Sequence, residues 1–509
     1  MAKKNGFSSK IGFILATAGS SVGLGNLWSF PYKTSQNGGA AFVIVYILSV
    51  IILGLVTMIA EIYIGKRAQA NPVSAYNKIN KKLGWAGLIS IMVAFLIASY
   101  YVILGGYTVK FTYSSLTNTS HLLETFPSKT WEVLLCTFIF LGISVLIISF
   151  GVKDGIEKAS KVLMPILIVL LIGIVIYCLT LGEGVREGLN YFLNPDFKAL
   201  GFKGVLAAMG QAFFSLSVGT GILITYGSYM NKDIKIGSSV VFVAVFDTFV
   251  AILAGLAIFP AIYHYKAQTG IELQNNGIVL LFSSLPTVFV TLGSAGKVLS
   301  FLFFGMVLVA AITSVISALE VVNQHLTERF KIKRINASLL VGALIYLCSI
   351  PIGISLGNSL TNQEGLTIFG KNYLEVVDLV VTSFLMPLCA LFACVSVGWL
   401  LFKNDKKSSV DALAMDLKAN GIENKFLSKF YAFMIKYITP VFILFIEIMG
   451  IIDSIFPQTD GKRVFSLGGL VIESISIIII TIVIIVYLMF NRGKNKQKVI
   501  VNSIDKNLQ

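Results

Sequence analysis

Ala18-Gly19-Ser20-Ser21-Val22-Gly23-Leu24-Gly25-Asn26 sits in the middle of a stretch, 11 to 35, that is otherwise apolar enough to cross a bilayer. Glycine inside a helix costs about 1 kcal/mol relative to alanine, and polar groups at membrane depth must find partners inside the protein. The stretch therefore predicts a membrane helix broken near its midpoint. The anomaly recurs five apolar segments later, at Ser215-Leu216-Ser217-Val218-Gly219-Thr220-Gly221. Gly19 and Gly23 alone also read as a small-residue packing pair. The second cluster, and the hydroxyls and amide interleaved with both, favour a binding site. Freed carbonyls and side-chain oxygens suit a small cation, while N–H groups at a half-helix start attract a carboxylate.

Outward from these breaks, 56% of the 509 residues are hydrophobic and 13% are charged, which excludes a soluble fold. A span needs about 20 mostly apolar residues to cross a core about 30 Å thick. About twelve such stretches occur, at 11 to 35, 40 to 65, 84 to 109, 131 to 150, 159 to 181, 202 to 229, 237 to 263, 297 to 328, 336 to 353, 373 to 402, 431 to 455 and 467 to 490. The expected fold is an all-α membrane protein forming one transmembrane domain over residues 1–509. Its two inverted five-helix repeats run over about 11–181 and 202–402, with helices 1 and 6 broken, and helices 11 and 12 follow over about 431–490. Paired broken helices place the binding site near the membrane midplane.

The net charge of +15 fits topology rather than nucleic-acid binding. With the N-terminus inside, roughly 28 of the 40 Lys and Arg fall in cytoplasmic segments. Both termini are expected in the cytoplasm and the chain in the cell (inner) membrane. The first span is too long and too polar for a cleaved signal. Cys136, Cys178, Cys348, Cys389 and Cys394 read as buried packing residues, and His121, His264 and His325 are scattered, so no metal cluster is expected. Two longer connections stand out. One, 264 to 296, is broken by Asn275-Asn276-Gly277 into pieces able to form a lid. The other, 403 to 430, holds a charged amphipathic piece over 411 to 418. No Gly-x-x-x-x-Gly-Lys-Ser/Thr loop occurs, and no nucleophile and base set with His suggests an enzyme.

Gly23-Leu-Gly-Asn-Leu-Trp-Ser-Phe-Pro31 with Asn37-Gly-Gly-Ala-Ala-Phe42 resembles the first-helix signature of the neurotransmitter:sodium symporter family. The likeness continues through Gln211 to Ser217, Asp247, Ala254 to Pro260, and Thr313-Ser314. It implies a leucine-transporter-like fold and sodium-driven symport of an amino acid by alternating access. By resemblance, Ser21, Asn26, Ser215 and Asp247 would hold a first Na+ together with the substrate carboxylate. Carbonyls of Gly19, Val22 and Ala310 with the hydroxyls of Thr313 and Ser314 would hold a second. An acid at Asp247 resembles a built-in replacement for chloride, and Glu61 resembles the acid that braces the broken sixth helix.

Aminergic relatives carry an acid where this chain has Gly23, which favours an amino-acid substrate. Ser21, Gly23, Leu24, Gly25 and Ser215 would line the substrate site, the Tyr101 hydroxyl would bind its carboxylate, and carbonyls near Phe214, Ser217 and Thr220 would take its ammonium. Ile97, Phe214, Ser217, Thr220 and Ala318 would set side-chain preference in a pocket wide enough for tyrosine or another large hydrophobic residue. Phe214 and Tyr101 would form a thin outer lid. The family's outer-gate Arg position is Ser29; Lys33, one turn later, either reaches Asp378 or faces the vestibule. Lys4, Ser228, Tyr229 and Glu328 resemble the inner gate. A homodimer is left open. A membrane sensor would need a signalling partner, and a channel would need a continuous polar pore or repeated filter.

Overall fold

Every long apolar segment becomes a helix, because a chain in lipid must satisfy its backbone hydrogen bonds within itself. The computed structural model describes residues 6–115, 122–231, 233–271, 273, 277–361, 366–368, 371–402, 409–456, 458–459, 462–463 and 465–507. Among the described residues ten helices are long and apolar enough to cross a membrane: Ala40–Ala68 (α3), Gly84–Ser114 (α4), Thr130–Ser149 (α5), Val152–Leu179 (α6), Ile236–Thr269 (α9), Gly293–Phe330 (α10), Arg334–Leu360 (α11), Tyr373–Leu400 (α12), Lys425–Ile455 (α13) and Leu467–Ile485 (α14). An eleventh is a bent pair, Lys10–Ser21 (α1) with Gly25–Gln36 (α2), turned by 47°. The expected sixth span is split into Phe197–Ser215 (α7) and Ile222–Ser228 (α8). Lys198, Lys203 and Gln211 make α7 too polar to count as a span by itself.

The first break follows from Val22, whose extended backbone (φ −74°, ψ 102°) ends α1, and α2 then opens with a π turn over Gly25–Ser29. The second contains three left-handed residues, Ser217, Gly219 and Gly221. Glycine adopts that conformation freely; Ser217 does so at a cost. The two breaks are tied together by the Ser217 hydroxyl, which donates to the Ser20 carbonyl at 2.8 Å. Glu61 on α3 accepts the Gly219 N–H at 2.8 Å. Close packing at Gly65 and Gly227, where an added Cβ would strike the Ile224 and Ile62 carbonyls, holds α8 against α3.

The innermost helices are α4, α3 and α10, with 72%, 67% and 67% of their most apolar windows buried. The outermost is α13, at 22%. Cys348 on α11 is exposed, contrary to its expected packing role, whereas Cys178, Cys389 and Cys394 are buried. In the 264 to 296 connection the helix Leu280–Thr291 forms; Asn275 and Asn276 lie outside the described residues. In the 403 to 430 connection Ser409–Ala419 is helical and buries Leu413 and Leu417, with Asp416 pairing to Arg67 at 2.5 Å.

Candidate functional site

The two breaks meet around a cavity lined by Ser20, Ser21 and Gly25 from the first, Phe214, Ser217, Thr220 and Ile222 from the second, Ile97, Ala98 and Tyr101 from α4, Ser314, Val315 and Ala318 from α10, and Met386 from α12. Its volume of ≈ 40 Å³ is room for about three water molecules. Glycines let the walls approach: at Gly25 a Cβ would lie 3.1 Å from the Phe214 ring, and at Gly23 it would lie 2.6 Å from the Tyr101 hydroxyl. That hydroxyl accepts the Leu24 N–H at 2.7 Å. Gly23, Leu24 and Ser215, expected to line the pocket, stand behind its wall. The Gly23 N–H donates to Asn26, Leu24 supports Tyr101, and Ser215 turns to α9.

On that α9 side Asp247 is wholly buried. Asn26 Nδ2 donates to Asp247 Oδ1 at 2.9 Å, to the Asp247 carbonyl at 3.0 Å and to Ser215 Oγ at 3.2 Å. Ser215 Oγ donates to Asp247 Oδ2 at 2.6 Å, and the Tyr46 hydroxyl adds a 3.1 Å bond to the same oxygen. Among the described residues these hydrogen-bond partners of the carboxylate are all neutral. Asn26, Ser215 and Asp247 are thus brought together, while the Ser21 hydroxyl donates to the Thr17 carbonyl at 3.2 Å. Tyr46 was missed because a lone tyrosine in an apolar run carries no signal in sequence.

Across the α1–α10 contact, Ser314 Oγ lies 3.4 Å from both the Gly19 and the Val22 carbonyl oxygens. Thr313 Oγ1 lies 3.0 Å from the Ala310 carbonyl. These residues, two short clusters nearly 300 positions apart, form one oxygen-rich seam.

The expected gates are placed less uniformly. Ser29 donates to Gln211 Oε1 at 2.8 Å, and Gln211 Nε2 donates to the Gly25 carbonyl at 2.9 Å. Lys33 faces a larger cavity on the far side of Phe214. It is near enough to Asp378 to sense its charge, but Asp378 Oδ1 takes its hydrogen bond from Tyr100, at 2.9 Å. At the opposite end Gln324 Nε2 bridges Ser228 Oγ at 2.8 Å and Glu328 Oε1 at 3.0 Å, and Asn71 binds the other Glu328 oxygen through its N–H and Nδ2, at 2.8 and 2.7 Å. Tyr229 donates to Glu320 at 2.7 Å, and Glu320 is paired with Arg334 at 2.5 Å, an ion pair that sequence reading did not find. Lys4 lies outside the described residues.

The sequence matches the model of the sodium:neurotransmitter symporter family over residues 4–121 and 119–495. It is 33% identical over 465 residues to the sodium-dependent transporter YhdH of Bacillus subtilis, covering 88% of this chain and 98% of that protein. A sodium-dependent transporter of Haemophilus influenzae is 32% identical over 469 residues, covering 87% and 98%. Among solved structures, MhsT in complex with L-phenylalanine is similar with a TM-score of 0.78 at 35% identity, over 88% of this chain and 100% of that one.

Proposed function

The chain belongs to the sodium:neurotransmitter symporter family and is a sodium-dependent membrane transporter, and from that premise we propose that it carries a large hydrophobic or aromatic amino acid inward with two sodium ions and without chloride. The observation that carries this reading is the meeting of both helix breaks around one cavity, with the neutral-donor cluster of Asp247 beside it. An amino-acid carboxylate reaching from the cavity toward Tyr101 and Asn26 would lie between the N–H groups of the first break and the first ion. Ion and substrate would then complete one another's shells.

The side-chain end of the pocket is bounded by Ile97, Phe214, Thr220, Ala318 and Met386. Thr220 and Ala318 are small for wall residues, and methionine adapts its shape and favours contact with aromatic rings. Because the cavity is contracted, a ring would enter as Phe214 and Met386 swing aside. The bound L-phenylalanine of MhsT supports this substrate class.

Two ions follow from two separate oxygen sets. The 3.4 Å spacings around Ser314 exceed an ordinary O–H···O bond and match the edge of an octahedron with metal–oxygen distances of about 2.4 Å, the scale of hard cations held by oxygen. With Asp247 supplying the negative charge, the first ion needs no chloride partner. The face bearing Lys66, Arg67, Arg329, Lys331 and Arg334 would be cytoplasmic.

Uptake of labelled tyrosine, tryptophan, leucine and glycine into proteoliposomes tests this, with inward sodium or potassium gradients and with gluconate in place of chloride. Concentrative, sodium-dependent uptake of the aromatic amino acids without chloride is expected. Accumulation of glycine in preference to them would refute the assigned pocket, and a strict chloride requirement would refute the role given to Asp247.

A further inference from the structure

The larger cavity beyond Phe214 holds ≈ 480 Å³ and extends to α13 and α14; Lys33, Lys203, Lys371, Asp453 and Glu473 contribute to its lining. Glu473 on α14 and Glu447 on α13 are each only 6% exposed, and the two helices pack together. Among the described residues neither oxygen of Glu447 has a hydrogen-bond partner, and Oε2 of Glu473 has none. Ser454 on α13 stands near Glu473, its hydroxyl directed at the Gly469 carbonyl of α14, 3.5 Å away. Glu447 lies close enough to Glu473 to sense its charge, and Cys389 on α12 lies close enough to sense Glu447. Of the lysines lining the cavity, Lys203 is paired with Asp453 at 3.4 Å and Lys33 senses Asp378; the lining also includes Lys371.

Buried polar groups without partners are rare, and an acid at membrane depth is a functional group by default. Two neighbouring carboxylates with no donor between them cannot both remain ionised. A proton removes the conflict, since it discharges one acid and leaves its neighbour as a single charge. A metal cation fits less well, because two carboxylates and one hydroxyl fall short of the six or more oxygens a hard ion gathers.

We propose that Glu447 and Glu473 together form a proton-binding site between α13 and α14, filled from the large cavity through Glu473. The proton comes from cavity water and is held as a carboxyl O–H on one acid, leaving the other ionised. The site is separate from the cavity at the helix breaks and does not depend on which substrate is carried.

An apolar carbodiimide, which adds to protonated carboxyls at membrane depth, tests this on the full chain in proteoliposomes, with adducts located by peptide mass spectrometry. Adducts on Glu473 or Glu447 that are lost as the pH is raised are expected. With Glu473→Gln the loss at Glu447 should shift to lower pH, because the neighbouring negative charge that favours the protonated form is gone. Labelling indifferent to pH, labelling blocked by sodium at constant pH, or no adduct on either acid at any pH would overturn the proposal. The pH profile of the unmutated chain decides the matter even if the variant does not fold, as checked by its thermal unfolding.

Discussion

Asp247 has three side-chain donors, from Asn26, Ser215 and Tyr46, and none of them is charged. A buried carboxylate satisfied only by neutral groups is electrostatically incomplete, because the hydrogen bonds stabilise the anion without balancing its charge. A sodium ion at the proposed first site would supply that balance. Removing one partner of a buried charge pair costs about 2–5 kcal/mol, so Asp247→Asn should weaken sodium binding by about 30-fold or more, and chloride should restore part of the lost uptake. Sodium dependence of uptake, measured with chloride and with gluconate, reads both effects; an unchanged sodium affinity would place the first ion elsewhere. At this scale the sequence was legible where a polar residue interrupts an apolar run: Asn26, Ser215 and Asp247 each stand out. Met386 and Tyr46 did not, since an apolar or aromatic side chain in a membrane span looks the same whether it faces a cavity, a helix or lipid. Glu320 and Arg334 are 14 positions apart on different helices, so no periodicity joined them.

At the scale of elements, the second break is held both by the first break and by α3. Ser217 reaches the first break at Ser20, and Glu61 holds the second at Gly219. Gly219 has φ +82°, and an added Cβ would strike the carbonyl of Met386, a cavity residue. Left-handed backbone costs a non-glycine residue about 1–2 kcal/mol, and the clash adds to it. Gly219→Ala should therefore lower the thermal unfolding midpoint of the purified protein and reduce uptake together; an unaltered midpoint would mean that the second break tolerates another backbone path. The glycine and serine clusters made both breaks legible, whereas helix ends were not. The expected stretches 84 to 109 and 297 to 328 extend as helices to Gly84–Ser114 and Gly293–Phe330. Hydropathy marks where a helix meets lipid; hydrogen bonding and packing decide where it stops, and polar turns beyond the bilayer remain helical.

For the whole molecule, the proposed two oxygen sets make a quantitative claim about energy coupling. A membrane potential of 100 mV is worth about 2.3 kcal/mol per sodium ion, and a tenfold sodium gradient adds about 1.4 kcal/mol. Two ions together supply about 7 kcal/mol, a limiting accumulation of about 10⁵-fold for a substrate with no net charge. The electrical part separates the stoichiometries, because it scales with the number of charges moved while the substrate contributes none. Abolishing a 100 mV potential at a fixed sodium gradient should lower the limiting accumulation about 50-fold if one ion is carried and about 2 × 10³-fold if two are. Steady-state accumulation in proteoliposomes clamped with potassium and valinomycin makes the comparison. The membrane's passive leak reduces both plateaus, so the initial rate should be followed as well, rising with the square of sodium concentration well below saturation. A first-power rise with the smaller voltage effect would leave only one of the two oxygen sets as a transported-ion site. The Ser314 seam would then be a structural contact between α1 and α10, since the Asp247 cluster is the set that carries a charge in need of balance.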